Sequence, residues 1–249
     1  MPNSMTNREK HMTLVEHLEE LRQRLQYAVL GLLITTGLGL FFVDTLLALL
    51  LRPAGGIRLT TLTVIEPFLV KVKVAFLFGF AVSMPWIIYQ LYAFVDPALT
   101  EQERRRTIPL ALLAGLLFAI GVVFGYLFIL PVSLHWLLAQ AGTQFNALIT
   151  ANAYISFVLF FLLIVGATFE TPLVILTLAF LGVVSPQTLR REWRIAYMVI
   201  GGIAVFGTPD WSPVTMLLVA IPMVLLYEFS LILCRLFIRP AAPQPVRET

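Results

Sequence analysis

Residues 108–130 of the chain read IPLALLAGLLFAIGVVFGYLFIL, a stretch of 23 residues without one charged side chain. A helix of about 20 apolar residues is long enough to cross the hydrocarbon core of a bilayer, which is roughly 30 Å thick. Three consecutive arginines, Arg104 to Arg106, precede the stretch, and basic residues of this kind flank membrane spans on their cytoplasmic side. The stretch therefore predicts a transmembrane helix.

The composition of the whole chain agrees with this prediction. Of 249 residues, 59% are hydrophobic and 12% are charged, whereas soluble domains usually carry about 25% charged residues. This excludes disordered, nucleic-acid-binding and disulfide-stapled proteins, and the single cysteine, Cys234, cannot form an intrachain disulfide. The net charge of +3 needs no polyanionic partner, because membrane proteins collect Lys and Arg in cytoplasmic loops. The sequence predicts an all-α integral membrane protein.

Further apolar stretches along the chain raise the predicted number of transmembrane helices to six. The predicted spans cover residues 25–43, 74–94, 108–130, 154–184, 195–206 and 214–233. Glu170 and Pro172 interrupt the fourth span, which predicts a tilt or a kink. The fifth span has only 12 residues, about 18 Å of helix. Either the bilayer thins beside this span or protein shields it.

The distribution of Lys and Arg predicts the orientation of the six spans. Both tails and the second and fourth loops hold thirteen of the seventeen basic residues, and the first loop holds the other four. Because cytoplasmic segments are enriched in Lys and Arg, both termini are predicted to lie in the cytoplasm. Residues 13–238 then form one transmembrane domain, between a tail at residues 1–12 that is expected to be disordered and a cytoplasmic tail at residues 239–249.

An amphipathic pattern precedes the first span. Leucines recur at helical spacing from Leu14 to Leu25, and Thr13 has the position of a capping residue at the start of this helix. Spacing alone favours a helix that lies at the membrane interface, with Glu19 and Glu20 on its solvated face.

Two further carboxylates allow both a structural and a functional interpretation. Glu103 follows Thr100 at capping-box spacing, so it can simply complete the start of the third span. Glu170 lies near the middle of the fourth span, where a carboxylate costs about 2.5–3.5 kcal/mol on translocon scales and should face protein or water. It is either a functional group or a side chain that is hydrogen-bonded inside the bundle. Glu228 lies close enough to the predicted cytoplasmic interface for a structural role.

No catalytic or metal-binding motif is present in the sequence. His11, His17 and His135 are isolated, whereas zincin sites need two histidines one helical turn apart. Ser133 lacks the Gly-x-Ser-x-Gly context of a serine nucleophile, and no phosphate-binding or dinucleotide-binding loop occurs. The sequence predicts neither an enzyme nor a metal or cofactor.

A series of short motifs follows one another between residues 17 and 237. They are HLEELRQRL at 17–25, EPF at 66–68, PWIIYQ at 85–90, FVDPAL at 94–99, ERR at 103–105, FETP at 169–172, GVVSP at 182–186 and AIPM at 220–223. Together and in this order they resemble the TatC family, the polytopic subunit of the twin-arginine protein translocase. The loop at residues 207–213 departs from the family pattern, so Asp210 is given no role.

The resemblance implies a receptor for signal peptides that carry two consecutive arginines. Its recognition carboxylates fall on Glu20 and Glu103, which the charge distribution independently assigns to the cytoplasmic side. Carboxylates suit this role because they form strong charge-assisted hydrogen bonds with guanidinium groups. Gln90 and Phe94 are expected to line the same site. Glu19 is adjacent to Glu20 and is the second candidate. It ranks lower because it points about 100° away from Glu20 on a helix.

The resemblance also implies a glove-like, concave bundle whose hollow exposes Glu170. Folded cargo would cross the membrane at the expense of the proton-motive force, with the single-span partners TatA and TatB and several copies of the chain in one complex. The lack of a transit peptide favours the bacterial inner membrane. Two alternatives are a small-solute transporter with Glu170 as its proton-coupling group and, with no good nucleophile to support it, an intramembrane hydrolase.

Overall fold

The computed structural model describes residues 14–55, 59–95, 107–140, 148–180 and 182–237. Within these ranges the regular secondary structure is helical, apart from one isolated bridge between Thr60 and Thr150. The helices are α1 Leu14–Phe41, α2 Val43–Leu51, α3 Glu66–Val95, α4 Thr107–Phe124, α5 Leu130–Ala139, α6 Ala151–Thr168, α7 Thr171–Phe180, α8 Pro186–Arg191, α9 Trp193–Gly207 and α10 Pro213–Phe237. The π-helical turn Gly125–Ile129 joins α4 to α5. The predicted all-α fold is confirmed.

Five of the helical segments are long and apolar enough to cross a membrane. They are Val15–Phe41, Glu66–Phe94, Ile108–Ala139, Ala151–Phe180 and Pro213–Leu236. The remaining predicted span corresponds to α9, which is apolar but has only 15 residues, about 22 Å of helix. All six predicted spans therefore occur as apolar helices, and the fifth is short, as predicted.

Two helices begin earlier than the hydropathy pattern predicts. The residues assigned to a separate interfacial helix are the first turns of α1, which runs through 28 residues, about 42 Å. α3 begins at Glu66 instead of residue 74 and contains Lys71 and Lys73. Both cations have partners, because Lys71 Nζ lies 2.8 Å from Asp44 Oδ1 and Lys73 Nζ lies 2.6 Å from Asn152 Oδ1. The two cations at the start of α3 are thus paired although they precede the apolar part of the helix.

The third and fourth spans are interrupted helices. The fourth divides into α6 and α7 at Phe169 and Glu170. Pro172 lies in the first turn of α7, where its missing N–H leaves no helical hydrogen bond unmade. The third span passes through the π-helical turn just before Pro131 and ends at Ala139, nine residues beyond the predicted end at residue 130. The predicted kink in the fourth span is therefore a break.

The core lies where α3, α4 and α6 meet, and α1 packs along the outer side of α3. Phe118 and Phe161 are fully buried there. Gly121 and Gly166 allow α4 and α6 to approach closely, since a Cβ on Gly121 would lie 2.9 Å from Gly166 Cα. Such small residues are typical of contacts between membrane helices. α10 completes the bundle through its contacts with α7 and α9.

Candidate functional site

The pairing of α1 with α3 brings the sequence-predicted site residues together. The imidazole of His17 stacks on the ring of Phe94, with 4.4 Å between ring centroids and 17° between planes. Further along, Trp86 Nε1 donates a hydrogen bond to the Tyr27 carbonyl oxygen at 2.9 Å. The two helices are therefore antiparallel, and the start of α1 lies beside the end of α3. By this register Gln90 lies close to the level of Glu20 and Arg24.

Glu20 is on the half-buried side of α1, with only 17% of its side chain exposed. One carboxylate oxygen, Oε1, lies 3.3 Å from Nη2 of Arg24. The other, Oε2, is buried without a hydrogen-bond partner among the described residues. The site can therefore hold one guanidinium group and still has an acceptor to offer.

Gln90 presents a second acceptor of the same kind. Its side chain is 3% exposed, and Oε1 is buried without a partner in the part of the chain that the structure describes. A buried polar atom that lacks a partner costs about 1–3 kcal/mol. A ligand that brings several N–H donors would remove this cost at both atoms. We call the surface formed by His17, Glu20, Arg24, Gln90 and Phe94 the α1–α3 site.

The other two residues predicted for signal-peptide binding, Glu103 and Glu19, are not part of the α1–α3 site. Glu103 lies outside the described residues, in the segment of residues 96–106 that connects α3 to α4. Glu19 is exposed and lies away from the α1–α3 site. The sequence interpretation did not select His17 or Arg24 for the site, although they lie three residues before and four residues after Glu20, which is the spacing of one helix face.

Glu170 forms a second feature, at the break between α6 and α7. It is 6% exposed, and neither carboxylate oxygen has a hydrogen-bond partner among the described residues, although the backbone of Phe118 approaches it. The nearby Tyr92 hydroxyl is hydrogen-bonded to Thr177 Oγ1 and so links α3 to α7. The structural alternative for Glu170, a hydrogen bond inside the bundle, thus finds no partner within these ranges.

Glu228 differs from Glu170 because it is hydrogen-bonded. It accepts from the Tyr197 hydroxyl at 2.8 Å and from Arg190 Nη1 at 3.1 Å. These contacts tie α10 to α9 and α8, in agreement with the structural role that its position predicts. Among the described residues, no group of three or more His, Cys, Asp or Glu could hold a metal ion.

The chain has relatives in sequence and in structure. A family model for the Sec-independent protein translocase protein TatC matches residues 16–222. The chain is 38% identical to TatC of Aquifex aeolicus over 237 residues, covering 92% of this chain and 97% of that protein. It is 35% identical to TatC of Deinococcus radiodurans over 239 residues, covering 93% and 88% of the two proteins. A crystal structure of the twin arginine translocase receptor TatC in DDM matches it with a TM-score of 0.77 and 35% identity, over 88% of this chain and 99% of that one.

Proposed function

This chain belongs to the TatC family of Sec-independent protein translocases, and we propose that it is the receptor and core subunit of a twin-arginine translocase. It binds twin-arginine signal peptides at the cytoplasmic face of a bacterial inner membrane. It then takes part in moving the folded cargo across that membrane with the proton-motive force. Both termini are cytoplasmic, and TatA, TatB and further copies of the chain are its partners in the complex.

The unpaired carboxylate oxygen of Glu20 carries this proposal. Because Arg24 already occupies Oε1, the carboxylate is oriented to accept a guanidinium, and Oε2 remains for a guanidinium of the signal peptide. Gln90 Oε1 supplies another acceptor nearby. In the proposed complex Glu103 binds the second arginine, and Phe94 contacts the peptide beside it.

Glu170 has a separate role in the proposed function. A carboxylate at this depth and without a partner among the described residues is costly to keep. We therefore assign it to the transport step, where it offers a polar contact from a hollow in the bundle. Signal-peptide recognition at the α1–α3 site does not require it.

Photocrosslinking tests the recognition step. A photoreactive amino acid at position 94 of the full-length protein, in membranes, is titrated with a twin-arginine signal peptide and with its twin-lysine version. Glu20→Gln removes the charge but keeps the shape, so the apparent affinity should fall about tenfold or more, as expected for a charge-assisted bond of about 1.5–3 kcal/mol. The twin-lysine peptide should bind weakly to either protein, because Lys cannot form paired hydrogen bonds.

Glu19→Gln is the matched control, since it removes the same charge from the exposed face of the same helix. Its affinity should equal that of the unmodified protein. An unchanged affinity in Glu20→Gln, or an equal loss in Glu19→Gln, would show that Glu20 does not recognise the peptide.

A further inference from the structure

A basic cavity lies at the ends of two helices and shares no residue with the α1–α3 site. It has a volume of about 350 Å³ and is lined by Pro186, Gln187, Arg190, Arg191 and Arg235. The first four of these residues belong to α8, and Arg235 lies in the last turn of α10. Three guanidinium groups therefore line one cavity, and Arg235 follows Arg191 by 44 residues in the sequence.

Hydrogen bonds hold the two walls of this cavity together. The Tyr227 hydroxyl of α10 donates to the Leu189 carbonyl oxygen of α8 at 2.8 Å. Arg190 and Glu228, which follow Leu189 and Tyr227 in the sequence, form an ion pair, with 3.1 Å between Arg190 Nη1 and Glu228 Oε2. These two contacts fix the position of α8 on α10, so a ligand would meet a preorganised wall.

The charges in this region leave a positive excess. Arg190 pairs with Glu228, and Arg191 Nε lies 3.1 Å from Glu192 Oε1. Each guanidinium group has five N–H donors. Each of these two ion pairs uses one nitrogen of its arginine, so the other nitrogens remain as donors for a ligand. Together with Arg235, the three guanidinium groups outnumber the two carboxylates. The cavity therefore favours an anion with several acceptor oxygens.

Aromatic residues show the depth of the cavity relative to the membrane. Trp193 begins α9 directly after α8, and its ring meets that of Tyr197 edge to face at 5.4 Å. Tyr197 meets Tyr227 in the same way at 6.0 Å. Trp and Tyr are enriched where membrane spans pass from the hydrocarbon core to the headgroups. An aromatic belt at this position would place the adjoining cavity at the level of lipid phosphates.

We propose that Arg190, Arg191 and Arg235 bind the phosphate of an anionic phospholipid headgroup. A guanidinium group matches a phosphate through two parallel hydrogen bonds. Basic pockets between membrane helices are typical binding sites for anionic headgroups. The proposal needs the chain to span a membrane but does not depend on signal-peptide binding.

The surroundings of Arg235 favour a lipid over a free phosphate ion. Ile232 lies one helical turn before Arg235 on α10 and is 55% exposed. Its side chain offers an apolar surface on the side of Arg235 that leads along α10 toward the hydrocarbon core. A phosphate in the cavity could therefore keep its acyl chains along α10, whereas a soluble phosphate would gain nothing from this surface.

Lipid titration of the purified full-length chain tests the proposal. The protein in detergent is titrated with phosphatidylglycerol or with phosphatidylcholine, and the bound lipids are counted by native mass spectrometry. The double variant Arg191→Gln, Arg235→Gln should lose affinity for phosphatidylglycerol about tenfold or more, with no change for phosphatidylcholine. Both substitutions spare Arg190, so that Glu228 keeps its partner.

Arg194→Gln is the control variant, because Arg194 lies over the Trp193 ring at 5.6 Å and does not line the cavity. It should retain its affinity for phosphatidylglycerol. Signal-peptide crosslinking at position 94 reports folding of the double variant, and the single variant Arg235→Gln replaces it if folding fails. Equal affinity in the cavity variant and the unmodified chain would overturn the proposal.

A competition experiment distinguishes the two sources of phosphate. Soluble glycerol phosphate at millimolar concentration is added to the chain with bound phosphatidylglycerol. The lipid should remain bound, because its acyl chains contribute to affinity. Displacement at this concentration would assign the cavity to a soluble phosphate ligand and would overturn the lipid proposal.

Discussion

The two ends of α3 both carry buried polar side chains, but within the part of the chain that the structure describes these find hydrogen-bond partners at the first end and not at the last. At the first end, Glu66 is 6% exposed and accepts hydrogen bonds from the backbone N–H of Leu62 at 2.7 Å and of Asn152 at 2.9 Å. At the last end, Gln90 Oε1 and the neighbouring Glu20 Oε2 have no partner among the described residues. The first end is satisfied within the protein, whereas the last end leaves two acceptors that the proposed function assigns to the signal peptide.

Glu170 extends this comparison to a third position. It is as buried as Glu66, with 6% exposure for each, yet it lacks the hydrogen bonds that Glu66 makes within the described ranges. Burial alone therefore does not distinguish these two carboxylates. The number of satisfied oxygen atoms does, and it makes Glu170 the costlier of the two to bury, because an unmade hydrogen bond costs more than a made one contributes.

The largest effect on stability is expected at the first end of α3. Glu66→Ala removes the acceptor that joins the segment before α3 to the start of α6, so the melting temperature should fall by roughly 5–10 °C. Asp44→Asn is the control, since its ion pair with Lys71 is exposed and such pairs contribute little. Thermal unfolding in detergent measures both. A Glu66→Ala protein that melts like the unmodified chain would remove the contrast between the two ends.

Glu170→Leu, in contrast, should not lower the melting temperature. The substitution removes a buried carboxylate that has no partner within the described ranges, which relieves a cost of about 1–3 kcal/mol, so the melting temperature should stay constant or rise. Export of a twin-arginine reporter protein should fall, because the proposed transport group is lost. A lower melting temperature would instead indicate a stabilising partner for Glu170.

The smallest effect on stability is expected at the last end. Arg24→Gln breaks the pair with Glu20, and such pairs within a helix contribute about 0.3–0.5 kcal/mol. The change in melting temperature should therefore be near the error of the measurement. A fall in melting temperature as large as that of Glu66→Ala would mean that the contacts of the α1–α3 site stabilise the fold.

Hydropathy predicts the number of spans because the thickness of the bilayer imposes a minimum length on any apolar helix. It does not predict where α3 begins, since Glu66 and Lys73 are polar residues whose place in the helix depends on Asn152, 79 or more residues away in the sequence. The same limit applies at Glu170, where the sequence predicts an interruption but not a complete break between α6 and α7.

For the α1–α3 site, the sequence predicts some of the residues, and the structure adds the contacts between them. Glu20, Gln90 and Phe94 were selected through the family resemblance and lie together. The stacking of His17 on Phe94 and the pairing of Arg24 with Glu20 depend on the register of α1 against α3, which no local pattern encodes. Helical spacing from Glu20 nevertheless marks both residues as members of the same face.

The pairing of α1 with α3 also has a consequence for biosynthesis. His17 is made 77 residues before Phe94, which corresponds to about 4–15 s at the usual rates of translation of 5–20 residues per second. Once α1 is complete at Phe41, it exists for the rest of this interval without the part of α3 that pairs with its first turns. A ribosome that stalls before the second span is complete therefore leaves a nascent chain without the α1–α3 site.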